Sequence, residues 1–209
     1  MLDGASGLDT LIGGLGNDTY LVTTGDVVTE LAGGGTADRV RVTDSYTLAA
    51  TAQIEVLETT LATATTAITL TGNAFAQTII GNAGDNALKG GLGMDTLTGG
   101  AGKDAFVFNT ASGTTNIDRI TDFNHAADTI RLDNAIFTAL GLATGALTTT
   151  AFWASANGAA HDATDRILYN TTTGVLTYDS NGSTVGGTIV PFARLTLAAV
   201  VDFTDFVVI

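Results

Sequence analysis

Aspartates recur nine residues apart in two places of this chain, each behind a run of glycines. Asp9 and Asp18 form one pair and Asp95 and Asp104 another, with Asn86 at the same position one unit earlier. The later block reads Gly-Asn-Ala-Gly-Asp-Asn-Ala-Leu-Lys from Gly81, then Gly-Gly-Leu-Gly-Met-Asp-Thr-Leu-Thr from Gly90, then Gly-Gly-Ala-Gly-Lys-Asp-Ala-Phe-Val from Gly99, with nothing inserted or lost between units. A short carboxylate beside glycine-rich carbonyls is chemistry for a hard cation, which gathers about six to eight oxygens when it is calcium. One turn cannot supply that many, so an ion would be shared between turns.

The elements that must hold such turns follow from the rest of each unit. Glycine permits backbone angles that a Cβ would forbid, which makes the first six residues a turn. The last three make a strand in which alternation sends only the middle residue inward: Leu88, Leu97 and Phe106 in this block. Two units complete a coil, so turns on one side lie eighteen residues apart and stack as rungs. Gly4 to Ile12 and Gly13 to Leu21 repeat the scheme with Leu11 and Tyr20 inward. The pattern returns as Gly33-Gly34-Gly35-Thr36-Ala37-Asp38 after an intervening unit of eleven residues, which brings Asp38 towards Asp18 across a bulged rung. From Ser45 to Thr71 the glycine turns vanish while β-branched pieces such as Ile54 to Leu57 and Ala67 to Leu70 persist. They read as rungs without calcium, with a separate small sheet or a helical turn around Ala49 to Leu57 as the alternative. Gly72 to Ile80 restores the period with Ile79 inward and Gln77 in the aspartate position.

Composition agrees with a ladder-rich chain. Of 209 residues 26 are Gly and one is Pro, as expected where most backbone N–H groups belong to ladders that proline would interrupt. The net charge of -13 comes from Asp, with only Glu30, Glu55 and Glu58 outside that series, and argues against nucleic acid as a partner. Without cysteine there is neither a disulfide nor a thiolate metal site. No apolar run approaches a membrane span, and no charged leader precedes an apolar core at Met1. The chain starts inside a repeat, as a fragment of a longer protein or a short natural remnant would.

Beyond Phe108 the period stops. Ile117 to Phe123 and Asp128 to Asp133 alternate as two strands around the loop Asn124 to Ala127, and Arg166 to Asn170 with Val175 to Asp179 read as a hairpin turning at Gly174. Asp179-Ser180-Asn181-Gly182 opens like a calcium loop but lacks the closing Glu, and reads as a turn. Phe152 and Trp153 are assigned to the core. His125 and His161 lie in polar loops without an evident partner, strand alternation accounts for Asp122 and Asp128, and no catalytic motif is present.

The nonapeptide G-G-x-G-x-D-x-U-x, most complete at Gly4 to Leu21 and Gly81 to Val107, resembles the calcium-binding repeat of RTX proteins, which Gram-negative bacteria export by type I secretion. Ile117 to Asp133 is similar to the segment that follows the repeats in secreted RTX proteases and lipases, and the hairpin with Asp-x-Asn-Gly is similar to their terminal domains. The uncleaved secretion signal of that family corresponds here to Val200 to Ile209, although a terminal core strand would look the same. The resemblance implies an all-β fold: a parallel β-roll (β-helix) solenoid over residues 1–108, degenerate at about 42–80, then a β-rich cap over 109–209. It implies Ca2+ held by Gly4, Gly7 and Asp9; Gly13, Gly14, Gly16 and Asp18; Gly33, Gly34 and Asp38; Gly81, Ala83 and Asn86; Gly90, Gly91, Gly93 and Asp95; and Gly99, Gly100, Gly102 and Asp104. The turn Gly90 to Asp95 would stack on degenerate neighbours at Gly72 to Gln77 and Phe108 to Gly113, and the turn Gly99 to Asp104 on Gly81 to Asn86. Asp118 would accordingly matter less than Asp104. The implied function is a non-catalytic module that folds on meeting extracellular calcium, with the type I secretion machinery as its partner during export. A carbohydrate-binding or adhesive module, with polysaccharide as partner and the solenoid flank or the Trp153 loop as platform, is the second reading.

Overall fold

The computed structural model describes residues 1–184, 186–196 and 199–209. Its strands alternate between two facing sheets: Leu2–Asp3 (β1), Thr10–Ile12 (β2), Thr19–Val22 (β3), Val27–Thr29 (β4), Arg39–Val42 (β5), Tyr46–Thr47 (β6), Val56–Thr59 (β7), Thr69–Thr71 (β8), Thr78–Ile80 (β9), Ala87–Lys89 (β10), Thr96–Thr98 (β11), Ala105–Phe108 (β12), Asp118–Ile120 (β13) and Thr129–Leu132 (β14). Odd strands pair in parallel in one sheet, and even strands from β6 onward in the other, with β2 and β4 forming a separate pair. Thr96 of β11 lies against Thr78 of β9, eighteen residues back, as the doubled period requires. The protein is a parallel β-roll.

Three-residue strands suffice because the roll needs one inward residue per strand. Leu11, Tyr20, Val40, Leu57, Leu70, Ile79, Leu88, Leu97, Phe106, Ile120 and Ile130 are all buried and form one continuous core. The glycine-poor stretch obeys the same rule. β6, β7 and β8 pair with β8, β9 and β10 in register, so residues 45–71 are rungs of the roll, neither a separate sheet nor a helix.

The sheets run on past Phe108, where the nonapeptides stop. β13 and β14 form no hairpin: they join opposite sheets, pairing in parallel with β11 and β12. After β14 the chain leaves the roll, builds Gly145–Ala146 (β15), Phe152–Ser155 (β16), Ile167–Asn170 (β17) and Val175–Asp179 (β18), and returns as Ile189–Leu195 (β19) and Phe206–Val208 (β20). β19 then lies parallel on β13 and β20 parallel on β14, which extends both sheets. Val200 to Ile209 thus supplies a strand of the even sheet, lying between β14 and the short antiparallel edge strand β15, with Phe206 and Val208 buried. The expected hairpin is present as antiparallel β17 and β18, and β18 pairs with β19 across an irregularity beside Pro191, where a missing N–H is tolerated.

An aromatic cluster closes this end. Phe137 meets Phe192 and Tyr178 edge-on at centroid distances of 5.1 and 5.2 Å, and Phe192 meets Phe108 at 5.1 Å. Trp153 lies outside the core, contrary to its sequence assignment. On the edge strand β16 it faces solvent, 38% exposed, and stacks on His161. His125, expected to be without a partner, bonds through Nδ1 to buried Asp205 at 2.8 Å. Among the described residues no helix is long and apolar enough to cross a membrane.

Candidate metal centres

The turns fall into two stacks, one along each edge of the roll. Turns 13–18, 30–38, 48–55, 72–77, 90–95 and 109–117 lead into odd strands; turns 4–9, 23–26, 43–45, 60–68, 81–86, 99–104 and 121–128 lead into even ones. One contact recurs along both stacks. The backbone N–H of the residue before a strand donates to the side chain of the equivalent residue one coil on: Asp9 to Asp26 Oδ1 at 3.0 Å, Asp18 to Asp38 Oδ1 at 2.7 Å, Asp95 to Asp118 Oδ1 at 3.1 Å and Asp104 to Asp128 Oδ1 at 2.9 Å. Bonding of this kind fixes one carboxylate oxygen of Asp38, Asp95 and Asp104. The Oδ2 atoms of Asp9, Asp18, Asp38, Asp95 and Asp104 are buried and have no hydrogen-bond partner. A buried ionised oxygen without a partner costs several kcal/mol at about the scale of its desolvation, so the folded chain must neutralise these groups with protons or with a cation.

The glycines of each turn answer different demands. A Cβ on Gly99 would stand 2.3 Å from Asp104 Oδ2, so the first glycine leaves room for the carboxylate. Gly100 and Gly102 have φ of +103° and +112°, and Cβ atoms there would strike the carbonyl oxygens of Asn82 and Gly84 on the coil before, at 2.2 and 2.5 Å. Glycine therefore lets carbonyls of adjacent rungs converge on the carboxylates, which is the donor set a hard cation takes.

Near the N-terminus the bulged rung does not separate Asp18 from Asp38. Their carboxylates and that of Glu30 place one oxygen each within 4.8 Å of one another. Glu30 comes from the eleven-residue unit, is 1% exposed, and accepts a short hydrogen bond from the Tyr20 hydroxyl. Burial and the Glu30 carboxylate hold the Tyr20 phenol well above its usual range. A Cβ on Gly13 would meet the Tyr20 hydroxyl, Glu30 Oε2 and Asp18 Oδ2 within 2.7 Å, so three oxygens converge over that glycine. The extra residues of the bulge thus bring a third carboxylate.

In the second block the outer neighbours of the repeats are not degenerate. Turn 90–95 stacks on turn 109–117 and on Asp118, twenty-three residues ahead. Asp95 Oδ2 and Asp118 Oδ2 lie 2.3 and 2.9 Å from the place of a Cβ on Gly90. Asp118, set aside from the sites in the sequence, belongs to this stack because five additional residues widen the coil before it. Turn 99–104 stacks likewise on turn 121–128. Asp122 accepts the N–H groups of Gly99 and Gly100 at 3.0 and 2.8 Å, and Asp128 those of Asp104 and Asn124, so both carboxylates do more than strand alternation requires. Burial raises Asp95 and Asp104 to about 6 each, and burial with the Asp95 charge raises Asp118 to about 8. Asp128 is raised as well, again chiefly by burial.

Between these blocks, amides fill the space. Asn86 Nδ2 donates to Gly84 O at 2.6 Å and Asn82 Oδ1 at 3.1 Å, and lies 3.3 Å from both Asn82 O and Asp104 Oδ1. An N–H₂ group stands among the oxygens a cation would face, while Asn86 Oδ1 is buried and has no hydrogen-bond partner. Gln77 Nε2 donates to Asn73 Oδ1, and Asn73 Nδ2 donates to the carbonyls of Ala49 and Ala52. Ala83, with Asn86 in the expected set, gives its N–H to Ala64 O.

Sequence periodicity missed Asp26, Glu30, Asp118, Asp122 and Asp128. A shorter signal finds three of them: an aspartate two residues before a buried apolar residue, as in Asp26 and Val28, Asp118 and Ile120, and Asp128 and Ile130. No curated protein matches the chain. The family described as RTX calcium-binding nonapeptide repeat matches in 4 copies, over residues 1–26 and 71–106. Both stretches coincide with turns whose aspartates leave an oxygen unpartnered, and the chain carries RTX calcium-binding nonapeptide repeats.

Proposed function

We propose that this chain is a non-catalytic module that folds when it meets extracellular calcium, and that it supports type I secretion and folding of a larger protein from a Gram-negative bacterium. The observation that carries the reading is the set of five buried aspartate oxygens without partners in stacked turns. At low calcium these carboxylates repel one another and resist burial, so the coils do not close and the acidic chain stays open enough to thread an export channel. Outside the cell the ion neutralises them. Because the centres do not exist in the open chain, binding free energy becomes folding free energy. Affinities of about 10⁻⁴ to 10⁻³ M, usual for extracellular calcium modules, leave the centres empty in the cytosol. The C-terminal strands β19 and β20 close the open end of the roll and give the last coil its neighbours.

The test is circular dichroism during calcium titration of the chelated protein. The β signal is expected to grow cooperatively with calcium. A signal already complete in excess chelator would remove the folding switch, and export unaffected by loss of residues 200–209 would remove the secretion role of that segment.

A further inference from the structure

We infer that the outer face of the odd sheet holds a site for an oxyanion, a sulfate, phosphate or carboxylate group, gripped between Arg119 and Arg194. The two arginines are far apart in the sequence, and the parallel pairing of β13 with β19 sets them directly opposite each other. Each is exposed between two buried residues, Asp118 and Ile120 on β13, and Ala193 and Leu195 on β19, so both side chains leave the sheet on the same side. Neighbouring strands run about 4.8 Å apart, which brings the two stems side by side. Both line one cleft of about 370 Å³, together with Leu195 and Thr196.

Like charges directly opposite one another destabilise a sheet, and elsewhere on this face the chain offsets the cost. Arg39 and Arg41 of β5 share Glu58 of β7, at 2.6 and 3.1 Å. Around the second pair the flanking positions hold Thr96 beside Arg119 and Val175 beside Arg194. Among the described residues no carboxylate comes within 4.0 Å of either guanidinium, although the chain has 21 Asp and Glu against 8 Lys and Arg. Arg194 is already aimed: its Nε donates to Thr173 O at 3.1 Å, which leaves the two Nη groups for a ligand. Thr196 on the rim spends its hydroxyl proton on Thr121 O at 2.6 Å. A guanidinium presents parallel N–H donors that match two oxygens of a carboxylate, sulfate or phosphate, so two of them can hold one group from both sides. The ligand then supplies the negative charge that Glu58 supplies to the first pair.

The pair is assembled only when β19 has returned to the roll, so the test uses the full chain, folded in saturating calcium. Sodium sulfate is titrated into the isotope-labelled protein with ionic strength held constant by sodium chloride, and the arginine Nε–Hε resonances are followed by NMR. Those of Arg119 and Arg194 are expected to shift saturably while that of Arg39, already paired with Glu58, stays in place. Arg119→Gln and Arg194→Gln alter exposed side chains, so each should keep the β signal and weaken sulfate binding at least about tenfold. A sulfated trisaccharide identifies the source of the group: binding tighter than that of free sulfate places it on a glycan, and equal binding assigns the site to a small anion. Shifts that never saturate, that chloride alone reproduces, or that persist at undiminished affinity in Arg119→Gln would overturn the site.

Discussion

Two kinds of rung share one backbone in this protein. At Asp18 and Asp38, and again at Asp95 and Asp118, stacked turns bring carboxylates together and leave buried oxygens unsatisfied. At Gln77 and Asn86 the corresponding space holds a side-chain amide whose N–H groups reach the surrounding oxygens. The strands after Gln77, Asn86 and Asp95 are alike, with one buried apolar residue each. What differs is where positive charge comes from. The amide rungs carry partial positive charge within the chain, although Asn86 Oδ1 is itself buried without a partner; the carboxylate rungs need a full charge from solution. In a solenoid, where each coil contacts only its neighbours, such a difference divides stability along the axis.

The largest expected effect tests that division directly. In excess chelator, amide hydrogen exchange should show β2 to β4 and β11 to β13 unprotected, while β7 to β9 keep the residual protection. Calcium should restore protection throughout. Uniform loss along the chain would mean that the amide rungs cannot stand alone and that the roll is a single cooperative unit.

The next effect separates Asp118 from a merely exposed carboxylate. Asp95→Ala and Asp118→Ala should each raise the calcium needed for folding by at least about tenfold, whereas Asp44→Ala, on an exposed turn, should leave it unchanged. The roll, its eighteen-residue coil and its inward residues were legible in the sequence because glycine, aspartate and an apolar residue recur at fixed spacing. Asp118 and Asp128 were not legible, because the additional residues before each break the period while the strands still pair in register. Glu30 was hidden for the opposite reason: a bulge that looked like damage to the site delivers a third carboxylate to it. The return of β19 and β20 to the roll was beyond local reading, since a long insertion separates them from the strands they join.

Asn86→Asp would convert an amide rung into a carboxylate rung. In calcium the variant should bind one more ion per chain by equilibrium dialysis, because the new carboxylate would then face Asp104 across Gly84 O. In chelator it should lose about 1–3 kcal/mol, the cost of removing buried donors, with added repulsion from Asp104. A variant equally stable in both conditions would show that the space at Asn86 does not suit an ion.

Acid should imitate calcium in part. Folded Asp95 and Asp104 are raised to about 6 and Asp118 to about 8, against about 4 in an unfolded chain. Folding therefore takes up protons between about pH 4 and pH 8, so stability in chelator is greatest at the acid end and falls as pH rises through the folded values. With calcium present the trend should reverse, since protons compete for the same oxygens. Melting temperatures at pH 5 and pH 8, with and without chelator, check both signs.

The smallest effect distinguishes two glycines of like conformation. Gly16 and Gly100 have φ of +100° and +103°, so alanine brings about 1–3 kcal/mol of backbone strain at either. At Gly16 a Cβ meets nothing within 4 Å, whereas at Gly100 it would stand 2.2 Å from Asn82 O, on the amide rung below. Gly100→Ala must therefore also push two rungs apart, and should melt lower than Gly16→Ala in saturating calcium. Because the clash falls between a carboxylate turn and an amide turn, it should also weaken calcium binding at Asp104, a consequence Gly16→Ala does not share for that site. Equal melting temperatures would mean that the rungs at Asn82 and Gly100 can separate without disturbing the ion between them.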